Sequence, residues 1–464
     1  MRLAKLQNFK FSDLNFYHYF FTAYIGLHVT FSILLGSITA FASDEGLYNK
    51  IFSQIYSPNF TSELMGFTGS WEPWLRAIYL PAKLLTYTGI SDLIASRLLA
   101  IGYSTLATYL LVKIARSNER DDRIFRIALI AISFLPTVFL WSSVGLRESF
   151  LYLEICSILF FLSRVKEHLD IKNMAGLGFA IFSLAMTKNY IFILFLFAFI
   201  ITLIVFSVKM RANFLNHILI LVLALFPLAV NPTLVPAISG YFSGQLAKPE
   251  SSIVGDINND GRCDSLDLCG SETSGNNDEP NQKLGNVATG GMTIHLLLNQ
   301  LENSPNTIAA RLAKSFGITS KLSAIVKSSV VVETSKLVIE NQKKLSLKQA
   351  GLKHPGQMIS SSLRFLFVPI IFVDNGSLFL NIQSIETPIW LFVYGLFIVG
   401  LYQVIRRRRQ FEYAAMMATL FIFEFVGISA LTEINVGTAL RHRSLLLIPI
   451  LVLWLSRKKE HESV

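Results

Sequence analysis

Charge is what this chain has least of. Asp, Glu, Lys and Arg together make up 16% of its 464 residues, where soluble domains average about a quarter. That scarcity excludes an ordinary soluble fold with a solvated surface. Cysteine is nearly absent too, and three residues cannot build a disulfide framework. Cys156 lies inside an apolar block, whereas Cys263 and Cys269 share one polar loop and can pair if that loop meets an oxidising compartment. No internal repeat of the kind many transporters carry is visible.

Apolar residues, in contrast, are plentiful: 52% of the chain is hydrophobic, with 37 Phe and a mean hydropathy of +0.50. They come in uncharged blocks of roughly 15 to 25 residues, the length that crosses a hydrocarbon core of about 30 Å. Backbone groups in lipid must bond within their own segment, so these blocks are helices. The expected class is all-α, a polytopic helix bundle in the lipid bilayer. The net charge of +10 sits largely in short clusters between blocks. That is the positive-inside pattern rather than a nucleic-acid surface.

Apolar blocks over residues 20–42, 91–115, 127–143, 150–163, 214–235, 389–405, 413–432 and 445–456, with a two-span hairpin over 174–210, predict ten crossings. Both termini then lie in the cytoplasm, and every inner loop is basic, including the Arg406-Arg407-Arg408-Arg409 run. Ala40-Phe41-Ala42 has the small residues of a signal-peptidase site, but the basic leader and the apolar segment are both too long to favour cleavage. Residues 74–89 are apolar but interrupted by Arg76, Pro81 and Lys83, which reads as a helix lying in the outer interface. Residues 363–379 make a poor span and are a re-entrant candidate. Three regions follow: an N-terminal membrane module (1–235) whose outer loop is 43–90, a large extracytoplasmic insertion (236–362), and a C-terminal membrane module (363–464). Within the insertion, residues 308–352 combine helical apolar spacing with many lysines, as amphipathic helices on an anionic surface do.

Once the inner loops have taken their share of Lys and Arg, the remaining charges stand out. Asp44, Glu45, Glu72, Arg147, Glu148, Lys188, Arg441, His442 and Arg443 all map to short outer loops. Any one of them could snorkel or form a structural ion pair. A set converging on one face points to a site, because charge at the edge of a low-dielectric region is costly. A carboxylate beside fixed cations suits reaction of a hydroxyl with a phosphate-activated group. The carboxylate takes the proton of the attacking hydroxyl, and the cations neutralise the departing phosphate. Arginine's planar fork holds phosphate oxygens two at a time.

Ser43-Asp44-Glu45-Gly46-Leu47-Tyr48, directly after the first span, resembles the acidic first-loop motif of GT-C membrane glycosyltransferases. Trp71-Glu72-Pro73-Trp74-Leu75 and Ser96-Arg97-Leu98 resemble that superfamily's interface helix and second span. Pro136, Trp141-Ser142-Ser143, Gly145-Leu146-Arg147-Glu148 and Arg441-His442-Arg443 with Pro449 are similar to bacterial members of polysaccharide assembly. The resemblance covers about residues 20–210 and, less closely, 362–456. It implies a polyprenyl-phosphate-linked sugar donor, a glycan or protein acceptor, inverting transfer on the extracytoplasmic face, and residence in a bacterial inner membrane. It implies Asp44 as the catalytic acid of the first loop, with Glu45 as the neighbouring candidate for the general base. Glu72, Arg147, Glu148, Lys188, Arg441, His442 and Arg443 are then the substrate-binding candidates. The insertion 236–362 replaces the family's usual C-terminal soluble domain, and Arg-His-Arg has no secure catalytic counterpart in it.

A second pattern lies in the insertion. Asp256, Asn258, Asp260, Asp264 and Asp267 fall at places one, three, five, nine and twelve of a calcium loop, with Gly261 at the sharp turn and the Arg262 carbonyl at place seven. It resembles the calcium loops of dockerin and thrombospondin-type repeats and implies a structural Ca2+. The alternative is an acidic surface loop without metal, tied by Cys263 and Cys269. A metal in catalysis is left open by the sequence. Two rival functions also stand: a polymerase joining lipid-linked oligosaccharides, and a transporter or flippase of an anionic lipid-linked substrate.

Overall fold

The structure is a computed structural model that describes residues 11–36, 43–56, 72–118, 120–165, 170–209, 214–231, 234–236, 359, 362–363, 365–367, 385–406, 413–432 and 436–456. All regular structure among the described residues is helical. Helix α1 spans Phe11–Leu34, α2 Ser43–Gln54, α3 Glu72–Thr86, α4 Asp92–Ser117, α5 Arg123–Ser133, α6 Pro136–Ser143 and α7 Glu148–Val165. After these come α8 Ile171–Thr187, α9 Asn189–Lys209, α10 Phe214–Val230, α11 Thr387–Arg406, α12 Tyr413–Thr432, α13 Val436–Ser444 and α14 Leu447–Leu455.

Three of these helices are long and apolar enough to cross a membrane: α4, α11 and α12 over Tyr413–Ala430. The α5–α6 pair makes a fourth if it counts as one bent span. Large apolar side chains such as Phe197, Ile204 and Ile398 lie open on the outside, as expected of helices that face lipid rather than water. The chain is a helical membrane protein.

Local chemistry sets the helix ends. Ser91 caps α4 by accepting from the Ile94 amide, and Asp122 caps α5 by accepting from Phe125. Asp92 in the first turn of α4 and Arg116 in its last turn both suit the helix dipole. Gly36, at φ 88°, ends the turn after α1, a left-handed conformation that costs glycine nothing.

α4 and α7 form the spine: α4 packs on α7, α3, α1, α6 and α2, while α7 also meets α8, α12 and α14. Gly176 lets α8 close on α7, since a methyl there would sit 2.4 Å from the Phe161 ring. At one end of the bundle Asp121 accepts from Tyr17 (2.5 Å), Arg116 (3.3 Å) and Arg126 (3.1 Å), tying α1 to the α4–α5 turn.

Several sequence expectations change. The first span is not residues 20–42, because α1 already starts at Phe11 and stops at Leu34. Residues 127–143 do not form one straight crossing, because α5 and α6 meet at 60°. Pro136 at the start of α6 lacks the amide that would continue α5. Residues 445–456 hold only the nine-residue α14, about 14 Å long and too short for a full crossing. Arg441-His442-Arg443 lie in the last turn of helix α13 rather than in a loop.

Candidate functional site

Two buried carboxylates face the tight turn between α6 and α7 from different sides. Glu45, on the first turn of α2, is fully buried. Arg97 of α4 meets it with both arms of its fork, Nε to Oε1 at 2.6 Å and NH2 to Oε2 at 3.0 Å. The remaining NH1 donates to the Ser32 and Gly36 carbonyls at the end of α1, at 3.0 and 2.6 Å. Glu45 Oε1 also accepts from the Gly145 amide at 3.1 Å. One ion pair therefore fastens α1, α2, α4 and the α6–α7 turn. Gly145 fits because an added Cβ would lie 2.4 Å from Ser96 Oγ. With both oxygens engaged, Glu45 acts as scaffold. Arg97 entered the sequence reading only as part of a motif, and nothing local links it to a residue so far along the chain.

Glu148, at the start of α7, is the second carboxylate and is also fully buried. Its place at a helix N-terminus suits a negative charge. Arg441 of α13 approaches it, Nε to Oε1 at 3.1 Å, with its guanidinium 5.9 Å from the Trp141 ring centre. Lys188 sits at the joint of α8 and α9, in an extended conformation that breaks the helix. Its Nζ is 3.0 Å from His442 Nε2, and the Tyr190 hydroxyl is 3.0 Å from the same nitrogen. An ammonium has no lone pair, so Nε2 accepts from it, which assigns the imidazole proton to Nδ1. Arg147 lies in the turn itself, with Cζ 5.7 Å from the Tyr48 ring centre. Burial works against its charge, but Tyr48 and Glu148 outweigh that, and its pKa is raised above the ordinary arginine value. The charges of Arg441, Lys188 and Arg147 all act on the Glu148 carboxylate.

Of the candidates read from sequence, five therefore come together: Arg147, Glu148, Lys188, Arg441 and His442. Tyr48 and Glu45 of α2 border them. Arg443 is set apart, although it is next to His442 in the chain. Its guanidinium stacks 4.6 Å over Trp390 and donates to the Leu366 carbonyl at 2.9 Å. Beside it Glu386 accepts from the Thr137 amide and hydroxyl and from Trp390 Nε1 at 3.2 Å. That carboxylate caps the start of α6 across 249 residues of chain, which no sequence pattern could disclose. Tyr190 and Trp141 were also missed as site residues, since aromatic side chains abound in every apolar block.

The backbones of Asp44 and Glu72 belong to α2 and α3, but their side chains fall outside the described residues. So do the calcium loop with Asp256, Asn258, Asp260, Arg262, Asp264 and Asp267, its two cysteines, and the lysine-rich segment 308–352. Among the described residues no group of three or more His, Cys, Asp or Glu could hold a metal ion.

Three cations act on one carboxylate, at the ends of helices rather than at their centres, and form one charged corner. The guanidiniums of Arg147 and Arg441 and the Lys188 ammonium offer charge-assisted hydrogen bonds, the strong kind. No family model, no curated protein and no solved structure matches the chain.

Proposed function

We propose that the chain is a GT-C-like membrane glycosyltransferase that moves a sugar from a polyprenyl-phosphate-linked donor to a glycan or protein acceptor. The observation that carries this reading is the meeting of Arg147, Lys188, Arg441 and His442 around Glu148 beside the first-loop helix α2. The acceptor hydroxyl attacks the anomeric carbon from the side opposite the phosphate. The sugar–phosphate C–O bond breaks, and its electron pair leaves on the phosphate oxygen. Arg147, Lys188 and Arg441 take up that charge, where one fixed donor typically supplies about 10²–10³ in kcat. The hydroxyl proton goes to a first-loop carboxylate. Asp44 is the one assigned, because both oxygens of Glu45 are engaged by Arg97. Attack opposite the leaving group inverts the anomeric centre.

The wider arrangement belongs to the same proposal. It places the chain in a bacterial inner membrane, with the N-terminus in the cytoplasm and the reaction face outside. The three-region division and a structural Ca2+ in the insertion go with it. A transporter would hold its binding charges near the middle of the bilayer. The cluster lies instead where α7 and α9 begin and where α8 and α13 end, which favours an enzyme.

The test is purified protein in vesicles, supplied with radiolabelled polyprenyl-phosphate sugars and an envelope extract as acceptor. Label leaving the lipid for a single defined product supports the transferase. A ladder of products points to the polymerase. Full activity in Asp44→Asn removes that residue from the mechanism. Label that only changes leaflet, still on its lipid, overturns the reading in favour of transport.

A further inference from the structure

Glu154 lies on α7 six residues beyond Glu148, roughly 9 Å further along the helix axis. It is 2% exposed. An ionisable side chain inside an apolar helix is costly unless it is held, and it is by default a candidate for function. Ser183 Oγ and Thr187 Oγ1 both donate to its Oε1, the second at 2.7 Å. Thr187 also faces the indole N–H of Trp74, at 3.4 Å. One carboxylate oxygen thus joins α7 to α8, and Thr187 in turn meets α3 through Trp74. Thr187 is the last residue of α8, and the next residue in the chain is Lys188. Arg147 acts on the same carboxylate electrostatically.

We infer that Glu154 is a positioning residue for Lys188: by holding the Thr187 and Ser183 hydroxyls it fixes the rotation of the last turn of α8, and with it the direction of the Lys188 amine. The inference rests on the phosphate-binding reading of the corner. Lys188 has to reach its 3.0 Å contact with His442 from a joint where the helix is broken. A break of that kind sets no direction by itself. The direction comes from the turn before it, which Glu154 clamps to α7. Because both hydroxyls converge on Oε1, an amide oxygen can replace it, whereas an alkyl group cannot.

The test is calorimetric titration of the full chain in detergent with farnesyl phosphate, a short isoprenoid monophosphate, alongside a thermal melt of each variant. Glu154→Gln should bind like the wild type. Glu154→Leu should bind about tenfold more weakly while still melting cooperatively, since misplacements of about 1 Å are costly in polar sites. Lys188→Met should bind weakly as well, and adding Glu154→Leu to it should change nothing further, the signature of two residues acting as one. If Glu154→Leu does not survive purification, Thr187→Val takes its place in the same cycle, with the same weakening expected.

Independent, additive effects of the two substitutions overturn the inference and leave the reading of the site standing. So does a Gln variant as weak as the Leu variant, or wild-type affinity in either Glu154→Leu or Thr187→Val. A wild-type protein that binds no farnesyl phosphate overturns the reading of the site and this inference with it.

Discussion

Glu45 and Glu148 invite comparison. Both are carboxylates with no exposure, and both touch the four-residue turn between α6 and α7 or the residues flanking it. Around Glu45 one arginine meets both oxygens, and its remaining arm is spent on two backbone carbonyls. Around Glu148, cations arrive from three separate places: the turn, the α8–α9 joint and α13. The first arrangement is closed, and its hydrogen bonds all run between parts of the fold. The second gathers its charges from three points far apart in the chain. Burial alone therefore does not distinguish scaffold from site. The geometry of the partners does.

The comparison can be broken in three ways. The largest expected effect is Arg97→Met, which leaves the Glu45 charge buried without its fork. Breaking such a pair costs about 3–5 kcal/mol, so the thermal midpoint should fall sharply and the yield of folded protein with it. An unchanged midpoint would mean that the pair is not scaffold. Next is Arg441→Met, which should lower the midpoint less than Arg97→Met, because Lys188 and Arg147 still offset the Glu148 charge, and should lower the rate of sugar transfer about 10²-fold. A variant that unfolds instead would place Arg441 with the scaffold. The smallest is Gly145→Ala, whose new methyl meets Ser96 Oγ. Overpacking of that sort costs about 1–3 kcal/mol, and a second change, Ser96→Gly, should recover most of it in the melt.

Much of this was legible in the sequence. Uncharged blocks disclosed the helices, and the lone interruption Lys188-Asn189-Tyr190 disclosed the joint of α8 and α9. The charges left over after positive-inside accounting disclosed Arg147, Glu148, Lys188, Arg441 and His442 as a group worth testing. What stayed hidden was pairing at a distance. Arg97 and Glu386 are single polar residues in or beside apolar runs, and their partners are 52 and 249 residues away. Periodicity reports which face of a helix is apolar, and is silent on which polar atom another helix brings. Arg443 shows the converse. Its neighbours in the chain join the corner, but the helical turn of α13 sends it toward Trp390 instead. The bend at Pro136 was missed as well, since residues 127–143 read as one crossing, and the Glu386 side chain that caps the start of α6 there comes from far along the chain.

Helix α14 has a consequence for how the protein is made. All nine of its residues are buried, and it packs against α4, α7, α11 and α12. It follows every other described helix in the chain, so a nascent protein threading into the bilayer has a hollow centre until residues 447–455 emerge. Chains arrested before residue 447 should leave α4 and α7 cleavable by added protease, and release past residue 455 should end that. Among the described helices the plug, rather than the wall, is delivered last.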